Sequence, residues 1–215
     1  MTTAKLICLL LVALVVSVSA KAQTVVLYPK LSKTLDSLRN VDQWPMQRIT
    51  RQEPDSVGRN LEQVEKDNYA RHQPVLEKIV RQFGFPGFRE VGKTSSYNFW
   101  LLVQHADAHV DFQRKVLKLM RREVERHNAD PVNYAYLVDR LAINTGQLEE
   151  YGTQVKYTGN VGDDYSKVVA IPVSLRDPKN VDKRRAAIGM GPLQDYLNGM
   201  ADMTRQMNKP KPKGQ

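Results

Sequence analysis

Apolar residues recur at three- and four-residue intervals along most of this chain, and the interval shortens to β-like runs only near residue 150. Leu27, Leu31, Leu35 and Leu38 share one helical face between Thr24 and Gln52, where Asp42-Gln43 and Trp44-Pro45 predict an interruption or kink. A second helical stretch runs from about Val57 to Gly84, with Pro74 suited to the first turn of a new segment and Gly84, Pro86 and Gly87 as its stop. The two stretches predict a helical hairpin. Val91-Gly92-Lys93-Thr94 reads as loop, after which Ser95 or Ser96 can cap a helix containing Trp100 to Ala106. From His109 to Arg126, the stripe Phe112, Val116, Leu119, Met120 and Val124 opposes a face of arginines and lysines. Asp130-Pro131 joins a capping side chain to a proline suited to a first turn, and opens a helix that reaches about Asn144 and ends at Gly146.

Beyond Gly146 the character changes, because Tyr151 to Tyr157 and Val168 to Val173 are rich in β-formers and flank a glycine- and aspartate-rich stretch. They predict a β-hairpin with a long loop. Asp177-Pro178 opens a short helix through Ile188, and Gly189 with Gly191-Pro192 separates it from a last helix. There Leu193, Tyr196, Leu197, Met200, Met203 and Met207 follow core spacing, with the methionines as gap-fillers. The fold class is therefore mainly α: one domain over residues 23–207, of about six to seven helices, with a small β-hairpin in its C-terminal third. Residues 208–215, a lysine–proline tail, hold nothing to bury and are expected to be disordered.

At the other end, Lys5, the apolar run Leu6 to Val16 and the small-residue site Ala20-Lys21-Ala22 follow the three-part pattern of a signal peptide. We expect cleavage after Ala22 and an exported product, periplasmic or extracellular. Removing 22 of the 215 residues leaves 193 without a cysteine, since Cys8 is the only one, so the fold rests on packing alone. The chain carries 32 basic and 23 acidic residues, a net charge of +9, and loss of Lys5 and Lys21 brings it to +7. The basic residues are spread along helices without interleaved aromatics, which argues against nucleic acid and for a solvated face, with at most peripheral contact to anionic envelope components.

The candidate chemistry starts where the most apolar mature stretch runs into Trp100, Gln104, His105 and Asp107. Desolvated polar groups need partners, so such a sequence builds either a structural network or a site. On one straight helix His105 lies nearly opposite Asp107; a helix ending near Ala106 would let Asp107 turn inward or cap the next helix. Asp139, set among Ala135, Ala142 and Ile143, is predicted to be buried and to need a cationic or hydrogen-bonding partner. Arg140 shares a narrow polar strip with Asn133 and Asn144. Tyr151-Gly152-Thr153-Gln154 gathers three hydrogen-bonding side chains around a glycine, and Arg185 offers forked donors for an anion. His105 and His109 have helical metal spacing but no third ligand in pattern, so no metal and no cofactor is assigned. No nucleophile elbow, phosphate loop or dinucleotide fingerprint occurs, which leaves acid–base chemistry with His105, Asp107 and Asp139 as its titrating members.

The ordered set Trp100, Gln104-His105-x-Asp107, Phe112-Gln113, Tyr134-Ala135-x-Leu137-x-Asp139-Arg140, Gly146, Tyr151-Gly152-Thr153-Gln154 and Arg185-x-x-x-Gly189, with Asp42-Gln43 and Arg48 upstream, resembles a bacterial family known only as a domain of unknown function. The resemblance supplies no activity. It implies that these polar elements belong to one recurring set, and His109 is not among them. The leading expectation is a polar cleft for a small polar or anionic ligand. In it Asp139 or Asp107 accepts a proton, His105 relays one, Arg140 and Arg185 hold an anionic group, and Trp100, Gln104, Tyr151, Thr153 and Gln154 line or orient the ligand. The competing expectation is a noncatalytic, envelope-associated protein in which the same residues form a buried scaffold.

Overall fold

Pro29 opens the first helix, α1 (Pro29–Thr50), at a position where its missing N–H costs nothing. The computed structural model describes residues 25–159 and 164–208, so the expected leader, the tip of the hairpin loop and the basic tail beyond Asn208 lie outside the described residues. Leu31 and Leu35 face inward from α1, and Asp42 falls on the same stripe. The interruption predicted at Trp44-Pro45 does not occur. Pro45 removes the N–H that would serve the Val41 carbonyl, and Asn68 from the next helix donates to that carbonyl instead, at 2.9 Å.

That next helix, α2 (Leu61–Phe83), starts later than the periodicity suggests because Asp55 holds the backbone N–H and guanidinium of Arg59 in a turn. Asn60 then caps it, accepting from the Gln63 N–H at 2.9 Å. Pro74 lies inside α2 without ending it. The stretch Val91–Thr94, predicted as loop, belongs to α3 (Phe88–Gln104), which is merely kinked at Gly92 where φ is 81°. Only glycine takes that conformation without strain, and the kink frees two carbonyls: Arg89 O accepts from Leu27 N (3.1 Å) and Glu90 O from Tyr28 N (2.8 Å). Ser95 is likewise no cap; its hydroxyl donates to Asp36 of α1 at 2.7 Å.

Helices α4 (Val110–Glu125) and α5 (Pro131–Asn144) pack together, the latter capped by Asp130, which accepts from Val132 N at 2.7 Å. The chain then forms an antiparallel ribbon, β1 (Val155–Thr158) against β2 (Val169–Pro172), with Val155 opposite Pro172 and Thr158 opposite Val169. A 3-10 turn (Pro178–Asn180) leads into α6 (Val181–Ala186), and α7 (Leu193–Met207) closes on β2. The protein is thus mainly α, with seven α-helices and one two-stranded ribbon among the described residues.

Two apolar clusters result. Leu35, Leu76, Phe99, Val103, Val116, Met120 and Leu137 centre the one built by α1 to α5; Ala170, Val181, Leu193, Leu197 and Ala201 form a smaller one under the ribbon. Edge-on aromatic contacts bridge them, Trp100 to Tyr136 at 6.1 Å and Tyr136 to Tyr196 at 6.2 Å. The predicted methionine stripe is shorter than its spacing implies: Met200 packs on the smaller cluster, whereas Met203 and Met207 lie on an exposed face of α7 among the described residues. No helix among the described residues is long and apolar enough to cross a membrane.

Candidate functional site

The ten candidate residues fall into two neighbouring groups rather than one. The first is sealed. Asp139 is fully buried, and its oxygens accept from the backbone N–H groups of Glu150 (2.8 Å), Tyr151 (3.1 Å) and Thr153 (2.9 Å) and from the Thr153 hydroxyl (3.0 Å). Of the two expected kinds of partner, cationic or hydrogen-bonding, the structure supplies the second: three main-chain N–H groups and one hydroxyl. Gly152, at φ 67°, lets the chain curl around the carboxylate. Glu149, equally buried, receives the N–H groups of Gln154 (2.7 Å) and Ser174 (3.0 Å). Burial pushes the Asp139 carboxyl upward against these hydrogen bonds, and pushes Glu149 up to about 7, with the Asp139 charge adding to the effect.

Arg185 belongs to the same scaffold. Its Nη1 donates to Tyr151 O and its Nε to Gly191 O, both at 2.8 Å, and its guanidinium lies over the Tyr196 ring at 5.3 Å. Tyr196 in turn donates its hydroxyl to Thr153 O at 2.8 Å. Trp100 and Gln104 are buried too; in the amide orientation that satisfies both donors, Gln104 accepts from Trp100 Nε1 (3.2 Å) and Leu137 N (2.9 Å). These contacts sew residues 149–154 to α5, α6, α7 and β2.

The second group is partly open to water. Because α3 ends at Gln104 with His105 as its cap, Asp107 escapes the helical projection and turns toward α5. It neither caps α4 nor shares a helix with His105. Instead the Arg140 fork grips it, Nε to Oδ1 at 2.8 Å and Nη2 to Oδ2 at 2.7 Å, with Asn144 adding 2.8 Å to Oδ1. Arg140 Nη1 also donates to Gln154 Oε1 at 3.0 Å, and Gln154 Nε2 reaches Thr153 Oγ1 at 3.2 Å, which joins the open group to the sealed one. The side chains of Asp107 and Arg140 remain 44% and 33% exposed.

His105 stands beside this chain with partners the sequence did not pair. Its Nδ1 lies 2.8 Å from Oδ2 of Asp42, a carboxylate sealed within α1, while a fifth of the imidazole stays exposed. Burial raises the Asp42 carboxyl, but the His105 hydrogen bond, the facing His72 imidazole and the His105 charge outweigh it and hold it at about 2. With that acid ionised, Nδ1 must carry the proton, and among the described residues no protein group hydrogen-bonds Nε2. The Tyr69 ring packs against His105 at 4.9 Å, and its hydroxyl donates to Glu65 at 2.7 Å. Burial and Glu65 push the Tyr69 phenol up, and the Arg140 charge opposes them.

Sequence reasoning places Asp42 in a predicted interruption of α1 and in a motif but not beside His105, and it misses Tyr69, His72 and Glu149. A signal for two of them was present: Asp42 extends the stripe Leu31-Leu35-Leu38, and His72 interrupts the buried face Leu76-Ile79 of α2. Among the described residues no group of three metal-ligating side chains is placed to hold an ion. A cavity of about 520 Å³ lies in the groove between α1 and α2, lined by Asn40, Trp44, Arg59, Asp67, Asn68 and Arg71. Asn68 is one helical turn from His72, so the groove borders the histidine centre from the α2 side.

Comparison with known families gives one match, a family of unknown function (DUF6624), over residues 29–207. No curated protein and no solved structure matches.

Proposed function

We propose, for a chain that belongs to the DUF6624 family and takes no activity from it, that the protein binds a small polar or anionic ligand at the open group His105, Asp107, Arg140 and Gln154, with His105 exchanging a proton with it. The observation that carries this reading is the Asp42–His105 contact, a sealed carboxylate on Nδ1 of an imidazole whose other nitrogen is left unengaged. That is the arrangement in which a fixed acid sets the tautomer and the remaining nitrogen serves as base. Arg140 keeps two N–H bonds beyond those spent on Asp107 and Gln154, which suits an anionic group. Asp139, Thr153 and Arg185 serve as the scaffold that holds Gln154 in place, not as reacting groups. The reading includes export, supported by the N-terminal charge and apolar pattern and checked by the mass of the mature chain.

The test is an NMR titration of histidine-labelled protein with phosphate, sulfate, acetate and small sugar acids. Shifts concentrated at His105, abolished by Arg140→Gln, support the reading. The proposal fails if no probe moves His105, or if Arg140→Gln leaves the shifts intact. The noncatalytic reading has its own support in the fully matched Asp139, Glu149 and Arg185 network, and it predicts that His105 responds to none of these anions.

A further inference from the structure

Asp42 presents two oxygens to three side chains, and they are shared unevenly. Oδ2 takes both His105 Nδ1 and Gln43 Nε2 at 2.8 Å, whereas Oδ1 faces only His72 Nδ1, at 3.6 Å. The two side chains of that second pair are 1% and 7% exposed, and neither Oδ1 nor His72 Nδ1 has another partner. At 3.6 Å the pair is an electrostatic contact longer than a hydrogen bond, and because a sealed donor and a sealed acceptor each cost free energy when left alone, facing one another is the arrangement that relieves both in part. It also removes the rotation of the carboxylate about its last bond. Without His72 the carboxylate plane could tilt away from its present setting, and His105 Nδ1 would lose an aligned acceptor.

Resting on the proton-exchange reading of His105, we propose that His72 is a positioning residue: by engaging Oδ1 of Asp42 it fixes the carboxylate so that Oδ2 holds His105 in the Nδ1–H tautomer and leaves Nε2 as the accepting nitrogen. His72 itself touches no ligand. Its Nδ1 is the atom that matters, which makes the proposal specific, because an asparagine amide places its N–H near Nδ1 of the histidine it replaces and a glutamine amide places it near Nε2.

The experiment is ring ¹⁵N NMR of the four histidines in the full mature chain in alkaline buffer, with exposed His109 and His127 as internal references. The native protein is expected to show His105 predominantly as Nδ1–H. His72→Phe and His72→Gln should lower the Nδ1–H to Nε2–H ratio of His105 by roughly threefold, less than the effect of one ordinary hydrogen bond because the contact is long. His72→Asn should restore it to within about twofold, and Val103 methyl signals report that each variant keeps its core. A merely structural His72 would alter melting without moving that ratio. If His72→Phe and His72→Gln leave the ratio unchanged in folded protein, the positioning role is overturned while the reading of His105 stands. A native His105 carrying its proton on Nε2 would instead overturn both.

Discussion

Asp139→Ala is the substitution whose consequence the geometry determines most closely. The carboxylate satisfies three backbone N–H groups and one hydroxyl, and Thr153, which supplies two of these, is buried at 3% exposure. Orphaned buried donors cost about 1–3 kcal/mol each. Water can reach Glu150 and Tyr151, which are only half-buried, so the full cost falls on the two Thr153 donors, about 2–6 kcal/mol. Removing a carboxylate that burial already disfavours returns part of this, leaving a net loss of roughly 3 kcal/mol. For a domain of this size, where each kcal/mol shifts melting by about 2–4 °C, the midpoint should fall by roughly 10 °C. Asp139→Asn keeps one acceptor oxygen but turns an amide donor onto donor groups at the other, so it should cost about as much as the alanine. Thermal melting by circular dichroism gives the magnitude, and hydrogen exchange gives the location: the amides of Glu150, Tyr151 and Thr153 should lose protection while those of α1 to α3 keep it. A midpoint within about 2 °C of native, or unchanged exchange at those three amides, refutes the clamp.

The pH dependence follows from the other buried acid. Against an ordinary value of 4.5, burial holds the Glu149 carboxyl at about 7, so the folded chain binds this proton more tightly than the unfolded chain does. Its contribution, about 3 kcal/mol, is whole below pH 4.5 and is lost as pH rises through 7. Melting temperature should therefore decline between pH 5 and pH 8, and Glu149→Gln should flatten that slope while lowering the midpoint throughout, since an amide sets a donor against a backbone N–H. Asn68→Ala should cost about 1–2 kcal/mol by orphaning the Val41 carbonyl, and adding Pro45→Ala, which restores an N–H to that carbonyl, should recover most of it. A double-mutant cycle in denaturant measures this, and strict additivity contradicts the account.

The helices were legible wherever one face is apolar, as along Leu31-Leu35-Leu38 and Phe112-Val116-Met120. Pro45 and Gly92 misled because their repair comes from elsewhere in the chain: Asn68 supplies the hydrogen bond that Pro45 removes, and residues 27 and 28 use the carbonyls that Gly92 frees. The burial of Asp139 was readable from its neighbours on the helix, but its partners were not, because backbone N–H groups leave no mark in a sequence. Asp42 and His72 each lie as polar residues on apolar stripes, a signal that goes unread for His72. Nothing local relates two such residues on different helices, and only folding brings both to His105.

That the Asp139 clamp closes on peptide groups has a consequence for how freely its loop can be rewritten. Positions 150 and 151 contribute amide hydrogens to the grip, so the clamp itself asks only that neither be proline, although the Glu150 carboxylate also pairs with Arg176 and Arg184. New lettering at these two sites changes what the rim next to Gln154 offers to solvent without redrawing its shape. The segment is therefore a place where side chains can be exchanged while the backbone that carries them stays as it is.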